Sequence, residues 1–431
     1  MITPLLTPRA GVPEVITTES KFEEMIKQLL DGEGPIAIDA ERASGYRYSQ
    51  RAYLIQIFRK NGGLHLIDPI PFLDSNLWQK FNFNFSQFEW VIHASTQDLP
   101  CLLELGLDPQ ILFDTELGAR IAGCPRVGLG PLSESLLELQ LAKEHSAVDW
   151  SIRPLKSEWL TYAALDVDVL LEIRQKVEEL LAEKNKLDWA KQDFASILKS
   201  FKVKQEQPEK PDRWRRTSGM HKVRDRLSMT IIRDLWLSRN QLAQEIDLAP
   251  GRVLGDEAIV EIAIKRPTTA EAMAKVISWR TKLESPPFGQ WLDVLNKSLQ
   301  TPLAEQVELR VPSQGLPPIK IWKDKNPLGY ARLTHARGKI AELSTEIEIP
   351  AENLITPELV RKICWALPEV DQSQYEKFVA DELVKLGARP WQINQVAPLI
   401  ASALLETEPL IIPEPEATEE ADQAIGEPAP E

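Results

Sequence analysis

Three cysteines in 431 residues are too few for a disulfide framework. Cys101, Cys124 and Cys364 lie in apolar stretches, which suits small core residues in a reducing compartment. No run of 18 apolar residues occurs, so no segment reads as a membrane span and no membrane partner is expected. Met1 to Glu14 lacks a basic flank, an apolar stretch and a small-residue cleavage site, and the expected location is the cytoplasm. Histidine is scarce, with five in all, and His93 has no close His or Cys companion, which argues against a zinc enzyme.

What is present is charge and apolar residues in soluble proportions, 26% and 43%, over a length that suits two or three domains. The 50 Lys and Arg stand against 64 Asp and Glu, a net of -14 that taken alone disfavours polyphosphate binding. Its distribution reopens that possibility. Eight acids and no bases lie between Thr407 and Glu431, whereas Asp212 to Arg239 carries eight Lys/Arg and three Asp, a local +5.

Apolar strands open at Ile36-Ala37-Ile38 and recur at Tyr53 to Phe58, Leu64 to Ile67 and Trp90 to His93. Asn61-Gly62-Gly63 predicts an antiparallel hairpin between the second and third. Helical spacing follows over Asp98–Leu105, Thr115–Ala122, Leu132–Leu141 and one long stretch from Lys156 to about Glu183. The expected fold is α/β, a mixed sheet flanked by helices. Gln205 to Pro211 reads as a linker, and helical patterns alone follow, over Val223–Gln244, Asp256–Ala263, Thr269–Leu283 and about Leu333–Leu404. At an offset of 101 residues, Ile246-Asp247-Leu248-Ala249 faces Ile347-Glu348-Ile349-Pro350, and Val253-Leu254-Gly255-Asp256 faces Leu354-Ile355-Thr356-Pro357. This suggests one helix-loop-helix element used twice. The Pro- and Glu-rich end reads as a disordered acidic tail.

Asp39 and Glu41 are two apart on a strand and therefore project from the same face. Two hard-oxygen ligands on a rigid strand suit Mg²⁺ or Mn²⁺, although a lone Asp-x-Glu is more often a solvated pair. Further acids adjust that balance. Asp98 follows the His93 strand, Asp114 precedes a helix that it equally well caps, and Tyr162 and Asp166 share a helix face at i,i+4. Asp166 lies in an Ala- and Leu-rich segment, where an unpaired carboxylate is costly, and neighbouring Asp168 reads as its solvated counterpart. Several carboxylates and a phenol fit metal-assisted phosphodiester hydrolysis, with the phenol orienting water.

Asp39-x-Glu41, Asp98 after His93-Ala94, and Tyr162-x-x-x-Asp166 resemble the three exonuclease motifs of the DEDD superfamily, in its Tyr-containing subclass. The local texts around Asp39, Leu112-Phe-Asp-Thr-Glu-Leu and Tyr162-Ala-Ala-Leu-Asp-Val are similar to bacterial ribonuclease D, over Ile36 to about Leu181. The resemblance implies a ribonuclease H-like sheet and a 3′–5′ exoribonuclease that trims RNA 3′ ends, transfer-RNA precursors among them. It also implies that Asp39, Glu41, Asp98 and Asp166 ligate two divalent ions while Tyr162 orients water. His93, Asp114 and Trp150, the last in Asp149-Trp-Ser-x-Arg153-Pro-Leu, then support the site from behind or serve structure. Arg42, Tyr46, Arg47, Tyr48, Gln50 and Arg51 form a basic-aromatic cluster suited to holding a single strand.

The block from about Met220 to Leu283 resembles the helicase-and-ribonuclease-D C-terminal (HRDC) domain, through Leu235-Trp236, Arg239 and Ile246-Asp247-x-Ala249-Pro250-x-Arg252. Arg213, Arg215, Arg216, Lys222, Arg224, Arg226 and Arg233 are its candidate phosphate contacts, or else one solvated basic face. The second block matches more loosely, and its acidity suits packing against protein better than gripping RNA. The expected organisation is an exonuclease domain over 1–204, a basic linker over 205–219 and an HRDC domain over 220–295. A linker over 296–332, a divergent HRDC-like domain over 333–405 and the tail over 406–431 complete it. Two other functions fit the same residues: a 3′–5′ exodeoxyribonuclease, and a noncatalytic nucleic-acid-binding scaffold. No particular protein partner is legible.

Overall fold

A computed structural model describes residues 2–142, 148–205, 212–277, 281–283, 287–310, 315–406 and 408. Of the linker expected from Gln205 to Pro211, residues 206–211 lie outside these residues, as does nearly all of the acidic tail. The chain divides into two compact units, Met1–Pro312 and Ser313–Glu431.

The first unit begins with β1 (Thr3–Leu5), β2 (Val15–Ile16), α1 (Glu19–Leu30), β3 (Glu33–Arg42), β4 (Ala52–Lys60) and β5 (Gly63–Ile67). Then come α2 (Leu77–Phe85), β6 (Glu89–Ile92), α3 (Leu99–Glu104), β7 (Ile111–Asp114), α4 (Thr115–Ala122), α5 (Leu129–Leu137) and β8 (Leu139–Leu141). Helices α6 (Ser157–Asp168), α7 (Leu170–Glu183) and α8 (Leu187–Gln205) close this part. Six strands form one mixed sheet in the order β2-β5-β4-β3-β6-β7. Central β3 pairs antiparallel with β4 and parallel with β6, and Ile36, Ala37 and Ile38 are fully buried because both neighbours and both faces are covered. The expected β4–β5 hairpin forms in antiparallel register. At its turn, Asn61 and Gly63 take positive φ, which Asn tolerates and which Gly, lacking a Cβ, adopts freely.

Two expected helices are corrected. The pattern from Lys156 to Glu183 makes two helices, broken at Val169. The backbone N–H of Arg9 approaches the Asp168 carboxylate at 3.3 Å, and its guanidinium approaches the Asp168 carbonyl at 3.4 Å. Asp168 is thus only 6% exposed and is no solvated counterpart of Asp166. The helix expected to reach Leu141 ends at Leu137, where Glu138 turns to φ +56, and Leu139–Leu141 becomes β8, pairing in parallel with β1. A strand partner far away in sequence overrides the local helical spacing.

Still within the first unit, helices α9 (Arg226–Glu245), α10 (Pro250–Val253), α11 (Asp256–Lys265), α12 (Ala270–Ile277) and α13 (Phe288–Leu299) surround a core that includes Leu235, Val253, Leu254, Ile259, Trp291 and Leu295. Helix α9 starts three residues later than its apolar pattern because the Asp225 side chain accepts the Ser228 N–H and caps it. Trp214, from the stretch read as a linker, is buried in the same core.

The second unit holds α14 (Trp322–Lys325), α15 (Pro327–Glu346), α16 (Ala351–Leu354), α17 (Pro357–Trp365), α18 (Tyr375–Lys385) and α19 (Pro390–Leu404). Its first turns repeat those of the α9–α11 region at the offset read from sequence. Leu248 N–H bonds the Ala243 carbonyl as Ile349 N–H bonds that of Ser344, and Arg252 N–H bonds Ala249 as Asn353 bonds Pro350. Asp247 and Glu348 both take left-handed φ, +46° and +51°. No helix among the described residues is long and apolar enough to cross a membrane.

Candidate active site

The period-two rule places Asp39 and Glu41 on one face of β3, opposite Gln56 and Leu54 of β4. Helix α6 packs across this region and brings Tyr162 and Asp166 with it. One carboxylate oxygen each from Asp39, Glu41 and Asp166 lie within 4.8 Å of one another. Asp98 occupies the N-cap position of α3 and lines the same cleft as Asp39, close enough that the charge of Asp39 acts on it. Arg42 Nε lies 3.9 Å from Asp98 Oδ1. The five expected catalytic side chains, with Arg42 and His93, line one cleft of about 880 Å³.

Electrostatics marks this cluster as short of positive charge. Burial, together with the charges of Asp39, Asp166 and Asp98, pushes Glu41 well above the usual carboxylate range against the pull of Arg42. Asp98 is raised well above its ordinary value by burial first and the charge of Asp39 next. Asp39 is also raised by burial, less so because the Ala40 amide, Asp98 and Arg42 favour its charged form. At 4.8 Å and an effective dielectric constant of about 20, two carboxylates repel by about 3.5 kcal/mol. All-oxygen donors at this density fit a hard divalent cation, which would relieve that repulsion. The Tyr162 phenol is raised by burial and by the Asp166, Glu41 and Asp39 charges, and it is hydrogen-bonded to Asp166. It stays protonated at neutral pH, able to orient water but not to act as a base.

Support for these side chains comes from residues behind them. Asp114, at 2% exposure, accepts the Ser95 N–H (2.8 Å), the Ser95 hydroxyl (2.6 Å) and the Leu117 N–H that begins α4 (3.0 Å). The Ser95 carbonyl in turn receives the N–H groups of Asp98 and Leu99. Asp114 thereby caps α4 and fixes the turn that presents Asp98, a connection not visible in spacing because Ser95 is an ordinary residue in isolation. His93 is half-buried, desolvation lowers its pKa, and its Nδ1 lies 2.9 Å from the Thr115 hydroxyl. Trp150 is fully buried against Trp159 of α6, with ring centroids 5.6 Å apart. Arg153 makes paired bonds to Asp68, at 2.6 and 2.9 Å, and donates to the Tyr53 carbonyl at 2.7 Å, joining this segment to β4 and the end of β5.

Other cleft residues were not predicted: Gln97, Glu116 and Glu134 carry polar groups there, and Gly128 to Pro131 form one wall. The basic-aromatic cluster is divided. Arg42 lines the cleft, whereas Tyr46 lies beneath the Arg252 guanidinium at 4.1 Å and the Tyr48 hydroxyl receives Asn240 Nδ2 at 3.1 Å. Arg47 donates to the Ser151 hydroxyl, the Gln50 side chain to the Tyr48 carbonyl, and Arg51 is half-buried.

The basic residues further on are divided as well. Arg213, Arg216 and Lys222 are exposed. Arg215 stacks on Trp214 and bonds the Glu308 carbonyl, and Arg226 bonds the Gln306 carbonyl and the Glu308 carboxylate. Arg224 donates to the His221 and Val223 carbonyls, and Arg233 pairs with Asp234. These four are engaged within the helical region, Arg215 and Arg226 with residues 306–308 and Arg224 and Arg233 with near neighbours.

Residues 13–182 match the family model of a 3′-5′ exonuclease, 228–282 that of the HRDC domain, and 315–404 that of a 3′ to 5′ exonuclease C-terminal domain. The chain is 30% identical to a ribonuclease D of Psychromonas ingrahamii over 268 residues, 61% of this chain and 69% of the relative. It is similar to a crystal structure of a protein from Bifidobacterium adolescentis, at 34% identity and a TM-score of 0.84, covering 94% of this chain and all of that one. It shares the fold of Escherichia coli RNase D, described as an exoribonuclease involved in structured RNA processing, at 21% identity and a TM-score of 0.64 over 91% and 99% of the two chains.

Proposed function

The chain belongs to the ribonuclease D family of 3′–5′ exoribonucleases, and from that premise we propose that its acidic cleft removes nucleotides singly from RNA 3′ ends, with transfer-RNA precursors as the substrate class. The observation that carries this reading is the meeting of the Asp39, Glu41 and Asp166 oxygens within 4.8 Å, with Asp98 lining the same cleft. The choice of a structured substrate follows the role in structured RNA processing of the Escherichia coli enzyme of the same fold.

We assign Asp39, Glu41, Asp98 and Asp166 as the holders of two divalent ions, Mg²⁺ or Mn²⁺. Such ions, when bound, supply positive charge at the scissile phosphate and ease the deprotonation of water there. The chain's own residues do the rest. Arg42, beside Asp98 in the cleft, is placed to neutralise a substrate phosphate. The protonated Tyr162 hydroxyl, fixed by Asp166, orients the attacking water. His93, Asp114 and Trp150 hold the turn and helix that carry Asp98, Tyr162 and Asp166. Arg213, Arg216 and Lys222 contribute nonspecific phosphate contacts for the upstream strand.

The test is digestion of RNA and DNA of one sequence, labelled at either end, with Mg²⁺, Mn²⁺ or a chelator. RNA shortened from its 3′ end only when metal is present is the expected result. Faster loss of DNA would remove RNA as the substrate, and no nucleotide release with either metal would leave the nucleic-acid-binding scaffold.

A further inference from the structure

The loop between β3 and β4 leaves the acidic cluster at Arg42 and is then gripped by the first helical region, which lies in the same compact unit. Asp247, at the positive-φ position after α9, accepts the Ser49 N–H at 2.8 Å. Its second oxygen lies 3.3 Å from the Ser49 hydroxyl and 3.4 Å from that of Tyr53 on β4. Two residues on, the Ala249 N–H donates to the Tyr46 carbonyl at 3.0 Å. Arg252 donates to the Gly45 carbonyl at 2.7 Å while its guanidinium covers the Tyr46 ring.

We propose that this turn is a latch: Asp247 and Arg252 are positioning residues that hold the β3–β4 loop so that Arg42 and Glu41 keep their working geometry. The loop joins the two strands that frame the cluster, and the β3–β4 register shifts between Glu41 and Arg42, where the loop departs. Backbone carbonyls at 45 and 46 and a backbone N–H at 49 are the groups bound, so the latch fixes chain path more than side-chain identity. Its opposite side is fixed by Arg47 on Ser151, in the segment ahead of α6. A helical domain that only gripped RNA would not need its turn bonded to the main chain of the active-site loop.

This rests on the exoribonuclease reading, and the experiment separates the two. In the full-length protein, Asp247→Ala and Arg252→Ala should each lower kcat on saturating single-stranded RNA about tenfold, with RNA Kd unchanged, and Asp247→Asn should restore much of the loss. Hydrogen exchange should accelerate over residues 43–51 in the alanine variants, without a change in the sheet. Unchanged kcat, or a weaker Kd at unchanged kcat, would overturn the latch. If wild-type protein released no nucleotides, the enzymatic reading would fall, and equal exchange over 43–51 in wild type and Asp247→Ala would overturn the latch separately.

Discussion

Burial raises the Asp39 carboxyl above its ordinary value, against the pull of the Ala40 amide and Arg42, and substitution by Asn removes the negative charge that a cation would be held by. Asp39→Asn should lower nucleotide release by at least about a hundredfold, roughly 3 kcal/mol of lost electrostatic stabilisation, with the circular dichroism spectrum unchanged. Tyr162→Phe keeps the packing of α6 and removes only the hydroxyl. Release should fall about 10²-fold with KM little altered, because orientation of water is lost and strand binding is not. Asp114→Ala acts differently. It strips a cap and leaves two buried Ser95 donors without their acceptor, costing about 3 kcal/mol in urea denaturation, and activity should fall as the Asp98 turn loosens. Chemical type and local spacing made Asp39, Glu41, Tyr162 and Asp166 legible in the sequence. Ser95 was not legible, since its importance comes only from the Asp114 carboxylate 19 positions away.

Helix α1 was not among the expected elements, although it buries Phe22, Met25, Ile26 and Leu29 at a helical period. Strand β7 is four residues long and β2 only two, too short for a period to declare itself, and each is stabilised by a neighbour remote in sequence. The same cause turned Leu139–Leu141 from expected helix to strand. Between α5 and α6, Trp150 fills the space against Trp159, so Trp150→Ala should cost about 3–5 kcal/mol and reduce activity by releasing the helix that carries Tyr162, both measurable on one preparation. In the helical region Arg213, Arg216 and Lys222 are exposed to solvent. Replacing Arg213, Arg216 and Lys222 together by Ala should weaken RNA binding and flatten its dependence on log salt, while kcat on saturating RNA stays the same.

Across the whole molecule, the crowded carboxylates make stability depend on metal. Mg²⁺ or Mn²⁺ should stabilise the full chain, by about 2.7 kcal/mol at a hundred times Kd, and so raise its thermal midpoint; a chelator should abolish the rise and Asp39→Asn should blunt it. The contact between the exonuclease part and the first helical region should loosen in acid. Burial acts to raise the Asp247 carboxyl, and the Ser49 hydrogen bonds with the Arg51 and Arg47 charges outweigh it, so its folded value lies below the unfolded one. The stabilisation it gives is complete above about pH 4 and disappears as pH falls through that lower value. The protection of amides 43–51 relative to their intrinsic exchange at each pH should fall through that window in wild type and not in Asp247→Asn. Sequence alone determined the α/β start, the helical continuation, the repeated turn at an offset of 101 residues and the identity of the acids, because period, turn chemistry and residue type are local properties. Tertiary structure alone decided that Asp98 meets Asp39, that Asp168 is buried by Arg9, and that Tyr46 and Tyr48 face a helical domain. Those distances depend on sheet order and on packing between elements far apart along the chain, which no local period encodes.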